Sequence, residues 1–196
     1  MVVQLVAIII LGIFYSFYFG KMLAQRRKGI QTDQMGKGKK GAARTIELTM
    51  KAVTISVPIA ELVSVYLNIS ALPEWIRYIG IVLALSGDMI FGISVWTMKD
   101  SWRAGVSETE QTELVTDGIY QISRNPAFLG FDTVYVGILL MFFNWILFAF
   151  SVAAMLMFHL QIVKVEEPFL DSVFGEDYRK YKKKVNRYFG RKKLSL

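Results

Sequence analysis

Apolar residues along this chain gather into four long runs separated by polar, mostly basic, segments. The first, Val2 to Phe19, is interrupted only by Gln4 and Ser16. The second, Ala52 to Leu72, carries Pro58 and Glu61, and the third, Trp75 to Met98, carries Arg77 and Asp88. A helix rises about 1.5 Å per residue, so each run is long enough to cross the ~30 Å hydrocarbon layer of a bilayer. The fourth run, Ala127 to Val163, is 37 residues, or roughly 55 Å of helix. That length suits two crossings better than one, and Asn144-Trp145 near its middle predicts a tight turn between them. The pattern therefore predicts an all-α integral membrane protein with spans at about 2–20, 52–72, 75–98, 127–143 and 146–163. The rival is one long tilted helix in place of the last pair, giving four spans.

Charge decides between the two. The segments 21–51, 99–124 and 164–193 hold 22 of the 23 Lys and Arg residues. With five spans and an external amino terminus, all 22 share one face, and only Arg77 lies on the other. Basic loops stay on the cytoplasmic side, so that face and the carboxyl terminus are expected there. Four spans would place the basic tail outside. The first run is expected to span rather than to be a removed leader, because its positive charge follows it instead of preceding it. Gly12, Ser16 and Gly20 recur along it every fourth residue and predict a stripe for close helix contact.

Composition narrows the chemistry. Apolar residues make up 54% of the chain and net charge is +7. There is no cysteine, and His159 is the sole histidine. Disulfides, thiolate metal sites and a cysteine nucleophile are excluded, and no metal centre is expected. The basic segments flank membrane helices and carry no nucleic-acid-binding motif, so they are assigned to topology and to anionic lipid. Gly36-Lys37-Gly38-Lys39-Lys40-Gly41 matches G-x-G-x-x-G in form only. No strand precedes it and no βαβ unit is available, so it reads as a flexible basic loop.

Polar residues that could carry chemistry gather in two places on the basic face. One is the connection 99–125, with Glu108, Glu110, Glu113, Asp117 and Arg124; the other is Lys164-Val165-Glu166-Glu167 at the end of the last span. Within them, Leu114-Val115-Thr116-Asp117-Gly118-Ile119-Tyr120 is followed by Ser123-Arg124-Asn125-Pro126-Ala127-Phe128-Leu129-Gly130. The second place continues as Glu166-Glu167, Phe169-Leu170 and Phe174-Gly175-Glu176-Asp177-Tyr178-Arg179-Lys180-Tyr181. In this order, and with a helical hairpin between them, these two elements resemble the isoprenylcysteine carboxyl methyltransferase family, a membrane-embedded group related to the phospholipid methyltransferases. The family pattern is approximately L-V-T-x-G-x-Y, three residues, R-H-P-x-Y-x-G, then a Glu-Glu pair and F-G-x-x-Y-x-x-Y. The likeness covers about residues 111–189. Asn125 stands where the family has His, and Phe128 where it has Tyr. An Arg often found shortly before the Glu pair is unmatched, with Gln161, Ile162 and Val163 in that stretch, and Lys164 or Arg124 are its substitutes.

The resemblance implies a single membrane-embedded domain over 1–196, with cofactor-site segments 108–130 and 164–189 on the cytoplasmic face. It implies S-adenosylmethionine as methyl donor, leaving as S-adenosylhomocysteine. Donor contacts are implied at Thr112, Glu113, Leu114, Val115, Gly118, Tyr120, Asn125, Pro126, Ala127, Phe128, Glu166 and Glu167. Gly118 suits a tight turn, and Tyr120 and Phe128 offer flat faces to adenine. Arg124 and Glu167 are the implied catalytic pair, Arg124 steering the acceptor. The implied acceptor is the terminal carboxylate of a prenylated cysteine reaching the site sideways from the bilayer. Lipid-amine methylation on the same scaffold and a non-enzymatic membrane protein remain as alternatives. Glu61 and Asp88 lie within spans, where ionisable groups are costly and point to function by default; interhelical hydrogen bonding or a protonated state is the competing expectation, and Asp132, nearer the motif, stands evenly between a site role and packing. His159 is expected in a hydrogen-bonded packing role.

Overall fold

The computed structural model describes residues 1–106 and 113–192. Six α-helices carry the architecture: α1 Val2–Arg27, α2 Gly41–Leu67, α3 Glu74–Met98, α4 Pro126–Met141, α5 Trp145–Gln161 and α6 Glu167–Lys184. Helices α1, α2, α3 and α5 with its continuation are each long and apolar enough to cross a membrane. Helix α4, with 16 residues, is about 24 Å long. Apolar side chains such as Leu5, Ile8, Ile55, Val82 and Leu156 face outward, as expected where the surrounding solvent is hydrocarbon.

Asn144 builds the expected turn between α4 and α5. Its side chain accepts from the Leu147 amide at 2.9 Å, capping α5. Its amide nitrogen donates to Ser64 Oγ on α2 at 2.8 Å, so one residue both starts a helix and pins the hairpin to a neighbour. The same end is closed by Gln4 Nε2 donating to the Val65 carbonyl at 2.8 Å and by the Ala71 amide donating to the Phe143 carbonyl at 2.9 Å.

Helices α3 and α4 form the tightest pair. A Cβ added to Gly137 would lie 2.5 Å from the Ala84 amide, and one on Gly80 would lie 2.5 Å from the Gly137 carbonyl. Gly87 and Gly130 meet Val134 and Phe91 just as closely. These glycines recur at seven-residue spacing, which keeps them on one face of each helix and lets the backbones touch. The stripe expected for this purpose on α1 is not so used. Nothing lies within 4 Å of a Cβ at Gly12 or Gly20, and α1 packs instead through Ala7, Ile10, Leu11 and Phe14.

Two boundaries depart from the hydrophobic pattern. Helix α2 begins at Gly41, eleven residues before its apolar run. Ala42, Ala43, Arg44 and Glu47 are helix formers, and Glu47 and Met50 are buried. The helix then stops at Leu67, where Asn68 adopts a left-handed conformation (φ 52°), one of the few residue types that tolerate it. The basic loop 36–41 is also not simply solvated: Lys39 is buried and paired with the fully buried Glu47. Glu61 and Asp88 lie buried within helices, and neither carboxylate has a hydrogen-bond partner among the described residues, nor does Asp132 Oδ1, so interhelical hydrogen bonds do not hold these groups.

Candidate functional site

The basic ends of the helices converge with three connecting segments. Residues 113–117 form no regular element and lead into a 3-10 turn, Gly118–Gln121. Gly118 opens that turn at φ 56°, a conformation that disfavours any side chain. Asn125 follows just before α4, with Pro126 as the first helical residue, where the lack of an N–H costs nothing.

The segment 185–192 folds back across these residues. The Arg124 amide donates to the Asn186 carbonyl at 3.1 Å and the Gly190 amide to the Ile122 carbonyl at 2.8 Å. Asn125 Nδ2 donates to the Arg187 carbonyl at 3.0 Å. Tyr181 donates its hydroxyl to the Tyr120 carbonyl at 2.6 Å. The two separated sequence elements are therefore one three-dimensional unit.

Between α5 and α6 the chain makes one wide π turn, Ile162–Glu166. Pro168 has no N–H to return to the carbonyl four residues earlier and crowds it, which opens the helix there. The turn separates the fates of the paired glutamates. Glu167 is buried and holds Arg124 Nη2 at 2.9 Å, Arg187 through two bonds of 2.8 and 3.0 Å, and Lys182 at 3.2 Å. Burial by itself raises its pKa, but the hydrogen bonds from Arg187 and Lys182 and the charge of Arg124 outweigh that and bring it to about 2. Arg124 also donates Nη1 to the Tyr178 hydroxyl at 2.8 Å, while its Nε has no partner among the described residues.

Glu166 faces a different environment. Burial pushes its pKa up to about 7, countered by Gln161 donating to it and by the charge of Lys39, and reinforced by neighbouring Glu47 and Glu167. Gln161 is fixed by Glu47, to whose Oε1 its Nε2 donates at 3.1 Å. Glu47 in turn accepts from Lys39, from the Gly36 amide at 2.6 Å and from the Val106 amide at 3.3 Å. One buried carboxylate on α2 thus ties the 36–39 loop, residue 106 and α5 together beside Glu166.

These elements enclose a cavity of about 500 Å³ with a largely apolar lining. Glu113, Leu114, Val115 and Tyr120 line it from the connection, and Arg124, Asn125, Ala127 and Phe128 from the start of α4. Glu166 reaches it from the π turn. Of the other residues singled out from sequence, Gly118, Pro126 and Glu167 are not on the lining, and Thr112 with Glu108 and Glu110 lies outside the described residues. Lys164 is exposed and is not on the lining, nor are Glu61, Asp88 and Asp132. His159 is exposed and hydrogen-bonds Tyr188 through Nδ1 at 2.6 Å.

Sequence reasoning missed Glu47, Gln161, Tyr178, Tyr181 and Arg187. The two tyrosines stood in the F-G-x-x-Y-x-x-Y element and carried a signal. Glu47 and Arg187 carried none, since their partners are distant in sequence. On the far side of the cavity, Phe19 of α1 and Ile55 of α2 line it while remaining 49% and 56% exposed. The lining therefore reaches the apolar outer surface at α1 and α2.

A family model described as phospholipid methyltransferase matches residues 75–177. Among curated proteins, the chain is 28% identical over 114 residues to a probable protein-S-isoprenylcysteine O-methyltransferase of Oryza sativa subsp. indica, covering 57% of this chain and 60% of that one. Protein-S-isoprenylcysteine O-methyltransferase B of Arabidopsis thaliana is 31% identical over 114 residues, 57% of each chain. The Xenopus laevis protein-S-isoprenylcysteine O-methyltransferase is 25% identical over 143 residues, 72% of this chain and 49% of its own. The chain thus spans about half to three-fifths of the length of these relatives.

Proposed function

This chain belongs to the phospholipid methyltransferase family, and we propose that it transfers a methyl group from S-adenosylmethionine to the terminal carboxylate of a prenylated cysteine, on the cytoplasmic face of a membrane. The observation that carries the reading is the cavity, whose lining combines ionisable groups with apolar side chains of α1 and α2 that reach the outer surface. That shape suits an acceptor with a charged head and a hydrocarbon tail. The names of the similar plant and frog proteins support the same acceptor class.

The residues fit the methyl donor. Arg124 Nε is a buried donor without a partner on the cavity wall, suited to a carboxylate. Among the described residues Glu166 has Gln161 but no cation as its hydrogen-bond partner, and an ammonium group would satisfy it. Leu114, Val115 and Tyr120 offer an apolar slot for a purine. When bound, S-adenosylmethionine supplies an electrophilic sulfonium methyl.

The chain's own contribution is to hold and to exclude. A terminal carboxylate has a pKa near 3.5 and is ionised at neutral pH, so the acceptor needs no general base. The lone histidine is accordingly not required on the lining. Arg124 is locked by Tyr178 and Glu167, and so keeps a fixed direction while the reactants are brought together. Orientation of this kind in a water-poor cavity is worth up to about 7–11 kcal/mol of the barrier.

Calorimetry of the purified protein with S-adenosylhomocysteine tests the donor site. Binding is expected, and Tyr120→Ala is expected to weaken it about tenfold, since aromatic–base stacking contributes ~1–3 kcal/mol where measured on nucleic-acid bases. Absence of binding to the folded protein would refute the reading.

A further inference from the structure

Resting on the acceptor class proposed above, we propose that Lys51 recognises the acceptor's carboxylate, with Asp33 holding the Lys51 ammonium at the cavity wall. Lys51, Arg103 and Arg124 are the cations on the lining among the described residues. Arg124 directs Nη1 to Tyr178 and Nη2 to Glu167, which fixes its head on that side of the cavity, and its Nε, without a partner among the described residues, is assigned to the donor. Arg103 directs Nη1 to the carbonyls of Asp100 and Trp102. Lys164 does not reach the cavity. Lys51 does, with a side chain 37% exposed and ion-paired to Asp33. An ammonium has three N–H donors, and Asp33 engages it with one carboxylate oxygen. Asp33 is itself held, its other oxygen accepting from the Met35 amide at 3.1 Å. The pair therefore fixes the position of a cation that still has donors to offer.

Its place along α2 gives the acceptor a direction. Thr54, Ile55 and Pro58 continue the lining stripe one and two turns deeper into the apolar part of the helix. Seven residues of helix separate Lys51 from Pro58 by about 10 Å. Helix α1 runs the opposite way and presents Phe19 and Tyr15 at the facing depths. A molecule whose carboxylate meets Lys51 thus lays its hydrocarbon along Ile55 and Pro58, with Tyr15 of α1 facing it. An amine head that arrives as a cation meets the charge of Lys51 instead. This makes Lys51 a selector between carboxylate and amine acceptors, a distinction that the donor's pocket cannot make.

The test compares wild type, Lys51→Met and Lys51→Arg for binding of acetyl-farnesylcysteine and of its methyl ester, with S-adenosylhomocysteine present, and for methyl transfer to the acid. Wild type is expected to prefer the acid about tenfold, which is about 1.4 kcal/mol. Lys51→Met is expected to lose that preference and to raise KM for the acid about tenfold. Its kcat stays within about twofold of wild type and its S-adenosylhomocysteine affinity is unchanged. Lys51→Arg restores most of the preference. The proposal is overturned if wild type shows no preference, if Lys51→Met keeps it, if Lys51→Arg behaves like Lys51→Met, or if S-adenosylhomocysteine affinity falls in parallel. If wild type binds the acid in a Lys51-dependent way but transfers no methyl to it, the Lys51 assignment stands and the proposed reaction fails.

Discussion

Glu167→Gln removes one negative charge at nearly constant shape, and the consequence is calculable. Four nitrogen atoms of Arg124, Arg187 and Lys182 converge on this carboxylate. The Arg124 side chain is 5% exposed, so it has little recourse to water. Breaking a buried pair by removing one partner costs about 3–5 kcal/mol. Linkage gives a similar size: a fall from an ordinary 4.5 to about 2 corresponds to roughly 3 kcal/mol. Because the folded-state pKa is the lower one, this stability is fully present above about pH 4.5 and is lost as pH falls toward 2. The difference between wild type and Glu167→Gln should therefore be constant from about pH 5 to 8. For a chain of this length it amounts to roughly 6–20 °C in Tm. Thermal unfolding in detergent, followed by tryptophan fluorescence, measures it. A Tm within about 2 °C of wild type would show that the network is not a structural keystone.

Glu166→Gln should do the opposite, leaving Tm near wild type while weakening S-adenosylhomocysteine binding. With Glu166 at about pH 7 and only its ionised form holding an ammonium, wild-type affinity should fall about tenfold from pH 8 to pH 6, and the variant should lose that dependence; an equally steep profile in Glu166→Gln would place the ammonium elsewhere. Gly137→Val should separate α3 from α4, since even a Cβ would lie 2.5 Å from the Ala84 backbone, and overpacking of this kind costs about 1–3 kcal/mol; an unchanged melting curve would count against the seam. Single cysteines at Ser70 and Lys180 should be labelled from opposite sides of the membrane by an impermeant thiol reagent, and labelling from one side would contradict an odd number of crossings.

Much of this fold was legible because a bilayer imposes length and hydropathy on a helix directly. The turn at Asn144 could be placed because a 37-residue apolar run does not suit one crossing. What the pattern hid were the interactions that hydropathy does not encode. The start of α2 at Gly41 is polar, yet it turns Glu47 inward to meet Lys39, Gly36, Val106 and Gln161, contacts as far as 114 residues apart. Small-residue spacing was read on α1, where Gly12 and Gly20 face open space, and overlooked on α3 and α4, where Gly80 and Gly137 make the contact. Spacing names a face but not what lies opposite it. The Glu166-Glu167 pair was visible as a motif, but only the π turn before Pro168 shows that one glutamate lines the cavity and the other anchors three cations.

The most direct test of the account follows the methyl group. Purified protein in lipid nanodiscs is given methyl-labelled S-adenosylmethionine with acetyl-farnesylcysteine, and the product is treated with alkali. The account predicts label in the prenylcysteine fraction that is released by alkali as volatile methanol, because a carboxyl methyl ester hydrolyses where an N-methyl amine does not. Label found only in alkali-stable lipid amines, or no incorporation by a protein that binds S-adenosylhomocysteine, would contradict it.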